Sequence, residues 1–529
     1  MLASAALARP AAASEVAPLL IPRELASLDR YPSTLIKLAP GRPVLRRRLL
    51  SEARAELVSR KLRVWALDSG TAQELVPRLA RQGLLEEFEP DFPRRSTGRL
   101  DAGDPLLLQQ TWLSQVGAAA VEPPGVGVPV LIIDSGLDLS HPEFAARRDT
   151  TPLNIQTTTG AREFHGTAVS SIIGAPANGL GVVGVYPEAD VRVWDASPDG
   201  YLNSREVIAG IEAAAALPPS VINLSLGGAS KSRFEEEAVL HAFARGHLIV
   251  AASGNSRRSQ PAYPASLPHV LTVGAVDALA QPSAFSAGSP GMDVVAPGEQ
   301  IPVAVPSAFA ESGFISVSGT SFAAAIVSGA AAWVWSARRQ LDNGQVLELL
   351  RRSARTIAAE ARDPVTGFGL LDLPEALRQS EPPKDPLEPN DDVVQVRAGG
   401  LFSDAKPAIT SAATPQVGLV GRVDTVDDSR DLYRIWLPAR SRISIDVRSR
   451  SGVDARLWRG DAPSIHLQGR LRRAHLLAHA LRRVDGGKRI VYQHLGRADA
   501  EAYVEVFVPG DARPGSSEYA LSIASLTLG

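Results

Sequence analysis

The sequence predicts an α/β protein whose middle is a doubly wound, mostly parallel sheet, flanked by a small α+β unit before it and a β-sandwich after it. Three observations carry this. Between 104 and 379, short apolar runs alternate with helical patterns. The runs are continuous rather than alternating, as in parallel strands buried on both faces. After 396 the helical patterns stop, and strand-length segments separated by turn residues take over.

A chain of 529 residues is too long for one core. Its order reads as follows. Residues 1–20 hold the apolar stretch Leu2–Ala8 and then Ala11-Ala12-Ala13, with no basic segment before them. They read as the remnant of a signal peptide or, equally, as an Ala-rich terminus. Residues 21–103 read as the α+β unit and its linker. Ser33–Leu38 and Leu62–Leu67 have strand composition, Leu45–Ser59 and Thr71–Gln82 helical composition, and Arg94–Gly103 is polar. Residues 104–379 form the central domain. Its strands are centred on Val128–Ile133, Val191–Trp194, Val221–Leu226, Leu248–Ala252 and Val270–Val276. Its helices cover Ser204–Ala216, Arg233–Arg245, Thr320–Arg338 and Asn343–Arg352. Residues 380–395, acidic and proline-rich, read as a linker. Residues 396–529 read as the sandwich, with strands at Val417–Val423, Asp431–Leu437, Ile443–Val447 and Ala502–Val508.

Composition narrows the function classes. Formal net charge is -2, so no overall field draws in nucleic acid or anionic membrane. The absence of cysteine removes disulfides, thiol catalysis and cysteine-bound metal. The run Phe322–Trp335, broken by Ser328 and Gly329, is shorter than the roughly 18–20 residues that span a bilayer and reads as a core helix, so no transmembrane segment is expected.

Three segments bear on chemistry. In Val130-Leu131-Ile132-Ile133-Asp134-Ser135-Gly136 a carboxylate follows a buried strand, at the sheet edge where sites form in open α/β folds. Alone, Asp134 reads as a turn or capping residue. In His165-Gly166-Thr167 a histidine opens a helix and the glycine permits close backbone approach; alone it reads as structural. In Gly319-Thr320-Ser321 a serine opens a small-residue helix whose dipole favours negative charge beside it; alone it reads as an N-cap. Together they supply the orienting carboxylate, base and nucleophile that acyl transfer needs. There is no G-x-S-x-G around Ser321, which excludes the nucleophile elbow of α/β-hydrolases.

These three blocks resemble the signature blocks of subtilisin-like serine peptidases, in the order Asp, His, Ser known for that family. The resemblance runs from about 104 to 377. It includes Ile222–Gly228, Ala251–Asn255, Tyr263-Pro264-Ala265, Val273–Asp277, Ala296-Pro297-Gly298 and Gly367-Phe368-Gly369. It implies a serine endopeptidase with Asp134, His165 and Ser321 as triad and Asn255 as oxyanion donor. Ser225, Leu226 and Gly227 would pair with an extended substrate, and Gly254 would help line the first specificity pocket. No cofactor is implied for the chemistry. A structural calcium is implied at Glu143, Asn178 and the carbonyls of Leu180 and Val182, against an ordinary Asn-Gly turn. Three positions depart from the family pattern: Ala168 replaces a histidine, and Ala325-Ile326 replace Pro-His. A catalytically weak scaffold protein and an esterase are therefore the competing readings.

The flanks carry weaker likenesses. Residues 35–92 resemble a subtilisin-type inhibitory propeptide, implying a zymogen that cuts itself within 94–103. Glu388-Pro389-Asn390-Asp391, Gly421–Asp424, Asp431-Leu432-Tyr433 and Tyr519-Ala520-Leu521 resemble a pre-peptidase C-terminal domain. The expected partners are polypeptide substrates and the chain's own propeptide, and the expected location is secreted or periplasmic. His475 and His479 stand four apart without the glutamate of H-E-x-x-H and read as structural, beside a solvated cluster of Arg470, Arg472, Arg473, Arg482 and Arg483.

Overall fold

The computed structural model describes residues 33–60, 63–90, 103–145, 147–156, 163–256, 262–358, 362–450, 452–510 and 516–527. The signal-like segment 1–20 and nearly all of the processing segment 94–103 lie outside them. The chain divides into two compact units, up to Thr97 and from Gly98 onward.

The first unit is an antiparallel sheet with two helices. Strands β1 (Ser33–Leu38), β2 (Glu56–Ser59), β3 (Val64–Asp68) and β4 (Leu85–Pro90) lie in the order β2-β3-β1-β4. Helices α1 (Pro43–Glu52) and α2 (Ser69–Arg81) connect them. Asp68 caps α2, its carboxylate accepting the Thr71 N–H at 2.9 Å. Ala72, Leu75, Val76 and Leu79 recur at helical spacing and pack on Ile36 and Leu38. The helical reading of 45–59 is corrected in its second half. Glu56–Ser59 pairs with β3 as an edge strand, a long-range pairing that local composition does not encode.

The second unit holds the central domain and the sandwich. The central sheet has seven parallel strands: β5 (Val130–Asp134), β6 (Thr150–Pro152), β7 (Val191–Asp195), β8 (Val221–Leu224), β9 (Leu248–Ala252), β10 (Val270–Val276) and β11 (Val294–Pro297). Their order is β11-β10-β9-β8-β5-β7-β6. From β5 the chain crosses to the edge strand β6, steps inward to β7, then passes to β8 on the other side of β5 and runs outward through β9, β10 and β11. The carboxyl end of β5 is therefore a topological switch point, where such sheets open a crevice.

Each face of the sheet has its own core. On one side Val130 and Ile132 pack with α3 (His165–Gly174) and with the helix Thr320–Ala337, called α6. On the other, Leu131 and Ile133 pack with α4 (Ser204–Ala215) and α5 (Arg233–Ala244). Helix α6 is long and apolar enough to cross a membrane, yet 83% of it is buried inside the protein. It packs through large side chains such as Phe322, Ile326 and Trp333, and through alanine and glycine where neighbours come close. A Cβ on Gly329 would lie 2.2 Å from Val185 Cγ1. Between these elements, β12 (Ile301–Ala304) and β13 (Phe314–Val317) form a hairpin-like pair, and α7 (Asn343–Ser353) follows α6.

The sandwich has a five-stranded sheet, β14-β22-β16-β20-β19, over a four-stranded one, β15-β21-β17-β18. The strands are β14 (Gln416–Asp424), β15 (Arg430–Leu437), β16 (Ser441–Ser449), β17 (Asp454–Arg459), β18 (Leu476–His479), β19 (Leu481–Arg482), β20 (Lys488–His494), β21 (Ala500–Phe507) and β22 (Ser516–Thr527). Ile443, Ile445, Leu457, Val504 and Leu521 are among the side chains filling the space between the sheets. His475 ends a short helix and His479 ends β18, so the two do not share a helix face. The stretch 380–395 is not a free tether. Gln345 donates to the Pro382 carbonyl at 2.7 Å, and Leu432 donates to the Asn390 carbonyl at 2.9 Å.

Candidate active site

Asp134 ends β5 and is fully buried. Both its carboxylate oxygens face His165 Nδ1, at 2.8 and 3.1 Å. Its Oδ1 also accepts the Ser135 N–H at 2.7 Å. The contact with His165 requires α3 to begin directly against the loop after β5, and Gly166 makes that approach available. A Cβ there would lie 2.1 Å from the Gly136 carbonyl oxygen. Ser135 Oγ accepts the Gly166 N–H at 3.0 Å and closes the junction. Burial disfavours a charged imidazole, but the Asp134 carboxylate outweighs it, so His165 titrates above its ordinary range. The ring keeps 29% of its surface open to the cleft.

Ser321 stands in the first turn of α6, where backbone N–H groups have no helical partner. Its hydroxyl donates to the Ser225 carbonyl at 3.0 Å rather than to the imidazole. Ser225 Oγ in turn donates to the Ser321 carbonyl at 2.8 Å. Behind this pair lies a buried polar network. Asn223 donates to Ser225 Oγ at 3.0 Å, and Ser328 donates to the Asn223 carboxamide oxygen at 2.9 Å. The network fixes α6 to the end of β8. His165 and Ser321 line one cleft of about 960 Å³.

Asn255 follows β9 and lines the same cleft. Its carboxamide oxygen accepts from Thr320 N at 2.9 Å and from Thr320 Oγ1 at 3.0 Å. That pairing fixes the orientation of the amide, leaving Nδ2 as the free donor. Thr320 Oγ1 also accepts the Gly254 N–H at 3.1 Å. Thr320 thus positions the donor, a role its place beside Ser321 did not announce.

Ser225, Leu226 and Gly227 line the cleft beyond the end of β8. Gly228 is paired with Tyr263 through two backbone hydrogen bonds of 2.9 and 2.8 Å. Among the described residues, no backbone bond occupies Gly227, so one edge of this segment is open to an added strand. Gly254, at φ 99°, lines the pocket with Ala252 and Ala262. Glu235, in the first turn of α5, is the one carboxylate among the described cleft-lining residues. The sequence motifs do not point to Glu235, because it reaches the cleft only through the packing of α5.

Glu143 and the 178–182 turn, read as calcium ligands, meet through N–H groups rather than through the Leu180 and Val182 carbonyls. Glu143 Oε1 accepts the Val182 N–H at 2.9 Å, and Asn178 Nδ2 approaches Glu143 Oε2 at 3.4 Å. A further carboxylate, Asp104, joins them. Its Oδ1 accepts N–H groups from Gly179 at 3.2 Å and Leu180 at 3.1 Å, while its Oδ2 is buried without a partner. Burial, with Asp104 nearby, pushes Glu143 up to about 7. Two buried acids and an orphaned oxygen form a donor set suited to a hard cation.

The subtilase family model matches residues 125–369, which contain Asp134, His165, Asn255, Ser321 and the cleft residues above. Subtilisin Savinase of Lederbergia lenta is 36% identical over 257 residues, covering 48% of this chain and 92% of that protein. The chain belongs to the subtilase family. A second relative of this subtilase, the alkaline protease of Alkalihalobacillus alcalophilus, is 36% identical over 257 residues, 48% of this chain and 65% of its own. The psychrophilic subtilisin-like protease Apa1 of Pseudoalteromonas sp. AS-11 matches with a TM-score of 0.46 at 20% identity, covering 50% of this chain and 96% of that one. Membership makes the protein a serine peptidase by class, and subtilases need no cofactor for catalysis. The first compact unit and the sandwich lie outside the matched stretch.

Proposed function

We propose that this subtilase is an active endopeptidase that hydrolyses peptide bonds through an acyl-enzyme on Ser321. The observation that carries the reading is the fixed amide of Asn255: its oxygen is held by Thr320, which leaves its N–H as the group to offer in the cleft it lines with His165 and Ser321. A peptide laid along Ser225–Gly227 would take the Ser225 carbonyl as a strand partner and release the Ser321 hydroxyl from it. His165 Nε2 then accepts the serine proton as Oγ attacks the scissile carbonyl, and returns it to the leaving amine. Asp134 holds the imidazole and stabilises its cation. Asn255 Nδ2 and the Ser321 N–H meet the negative oxygen.

The departures from the family pattern do not touch this arrangement. Ala168 is buried within α3, and Ala325 and Ile326 are buried within an unbroken α6. This favours an active enzyme over a scaffold. The open peptide edge at Gly227 favours peptides over small esters. We further propose that Glu143 and Asn178, with Leu180, Val182 and Asp104, hold a structural calcium, and that residues 33–90 act as an inhibitory propeptide removed by cleavage within 94–103. A peptidase that carries its own inhibitor is one kept silent until it leaves the cytoplasm, which agrees with a secreted or periplasmic location.

The test is expression of wild type and Ser321→Ala, followed by intact mass, casein hydrolysis and labelling with a fluorophosphonate. Wild type should shorten by cutting within 94–103, take the label and degrade casein, while the variant does none of these. A refolded, propeptide-freed wild type that neither labels nor cleaves would show that the triad does not assemble.

A further inference from the structure

The seam between the peptidase domain and the sandwich contains a second concentration of acid, away from the cleft. Asp385, Glu388 and Asp391 come from the connecting stretch, and Asp428 and Asp431 from the turn into β15 and its start. Single carboxylate oxygens of Asp385, Glu388 and Asp428 lie within 4.8 Å of one another. Asp428 is 4% exposed and Asp431 fully buried.

Protein cations balance the charge at this place only in part, with His269 and Arg422 at its edge. Asp385 Oδ2, Glu388 Oε1, Asp428 Oδ1 and Asp431 Oδ1 are buried and accept no hydrogen bond. The nearby cations are engaged elsewhere. Arg422 pairs with Glu348 at 2.9 Å and stands 3.9 Å from Asp385. Lys406 donates to the Glu388 backbone carbonyl at 3.0 Å, not to its carboxylate. Arg351 is committed to Asp293, Asp424 and Asp427. Tyr519 and Tyr433 donate only to the other oxygen of Asp431. Left alone, burial pushes Asp385 up to about 6; burial and repulsion between neighbours push Glu388, Asp428 and Asp431 well above the ordinary carboxylate range. Orphaned oxygens that converge in a buried pocket mark a missing partner. Proton sharing would quiet one pair, but not four oxygens.

We propose that Asp385, Glu388 and Asp428 bind a calcium ion, with the free oxygen of Asp431 beside them, and that this ion fastens the sandwich to the peptidase domain. The donors are all hard oxygens, and Ca²⁺ accepts six to eight of them in flexible arrangements. A cavity of about 170 Å³ adjoins the cluster, lined by His269, Asp385, Glu388 and Asp428 among others, and leaves room for water to complete the shell. The peptidase domain reaches the same carboxylates through His269. Its Nε2 stands 3.5 Å from Glu388 Oε2 and 3.3 Å from Asp391 Oδ2, and its ring stacks on Phe243 with centroids 4.5 Å apart. Glu388 thus faces the ion with one oxygen and the peptidase domain with the other. This site is separate from the one at Glu143 and does not depend on the catalytic reading.

The experiment uses the full chain carrying Ser321→Ala, which prevents self-digestion, and two further variants in that background: Asp428→Asn and Glu143→Gln. Calcium bound at equilibrium dialysis and the thermal midpoint with and without chelator are measured for each. The parent and Glu143→Gln should both bind calcium at the seam. Asp428→Asn should bind one equivalent fewer than the parent and lose the part of the calcium-dependent midpoint shift that Glu143→Gln retains. Equal binding by a folded Asp428→Asn overturns the proposal. Should Asp428→Asn not fold, Glu143→Gln decides alone: no calcium bound at millimolar concentration overturns it.

Discussion

Thr320 offers the sharpest test of how the oxyanion donor is held. Replacing it with valine keeps the shape and removes the hydroxyl. Asn255 Oδ1 then keeps the Thr320 N–H at 2.9 Å but loses the hydroxyl at 3.0 Å, and the Gly254 N–H loses its acceptor. One lost hydrogen bond of this kind costs about 1 kcal/mol. If half of the amide's anchorage carries that much of the transition-state contact, kcat falls about fivefold. Asn255→Ala removes the donor itself, typically worth about 3–4 kcal/mol, so kcat falls by about 10²–10³. KM should barely change in either variant, because the contact is made with the oxyanion and not with the bound substrate. Thr320→Ser, which keeps the hydroxyl, should stay near wild type. The assay is steady-state hydrolysis of a chromogenic peptide, normalised by active-site titration. The reasoning fails if Thr320→Val matches wild type while Asn255→Ala collapses, or if either change appears in KM alone.

Three further outcomes follow from the same structure. Asp134→Asn should lower kcat by about 10⁴. It should also move the acid limb of the residual rate to lower pH, since the carboxylate that raises His165 is gone and burial, which lowers it, remains; a pH profile reads both. Arg351→Met should destabilise the protein by about 3–5 kcal/mol in denaturant melts of Ser321→Ala, because Asp293, Asp424 and Asp427 lose their shared buried cation. Glu235→Gln should slow cleavage of peptides with lysine or arginine on the acyl side of the cut relative to those with apolar residues there, as read from a peptide library, since Glu235 is the one carboxylate among the described cleft-lining residues.

What the sequence discloses depends on how local the cause is. The segments of the proposed triad were legible because each couples a polar residue to a strand end or helix start, and the small residues around them fix the approach. Gly166 is the clearest example: its reason is a backbone contact that only a missing Cβ permits. Continuous apolar runs likewise disclosed the parallel strands β5, β8, β9 and β10. Residues whose partners lie far along the chain stayed hidden. Asp104 joins Glu143 and Leu180 across 39 and 76 positions. Thr320 holds Asn255 from 65 positions away, and β22 draws its identity from pairing with β14 and β16. The contacts of the linker 380–395 stayed hidden for the same reason: Gln345 reaches Pro382 from 37 positions away and Leu432 reaches Asn390 from 42.

Helix α6 has a consequence for how this enzyme can change. It carries Ser321, the proposed nucleophile, at one end, is buried along its length, and at Gly329 leaves no room for a side chain. At about 1.5 Å per residue, Gly329 sits roughly 12 Å from Ser321. A methyl group added there collides with Val185, and a rigid rod that moves aside at its middle carries its tip with it. Variation in the centre of this fold is thereby read out as catalytic geometry, so mutational drift along α6 is screened by turnover as well as by folding.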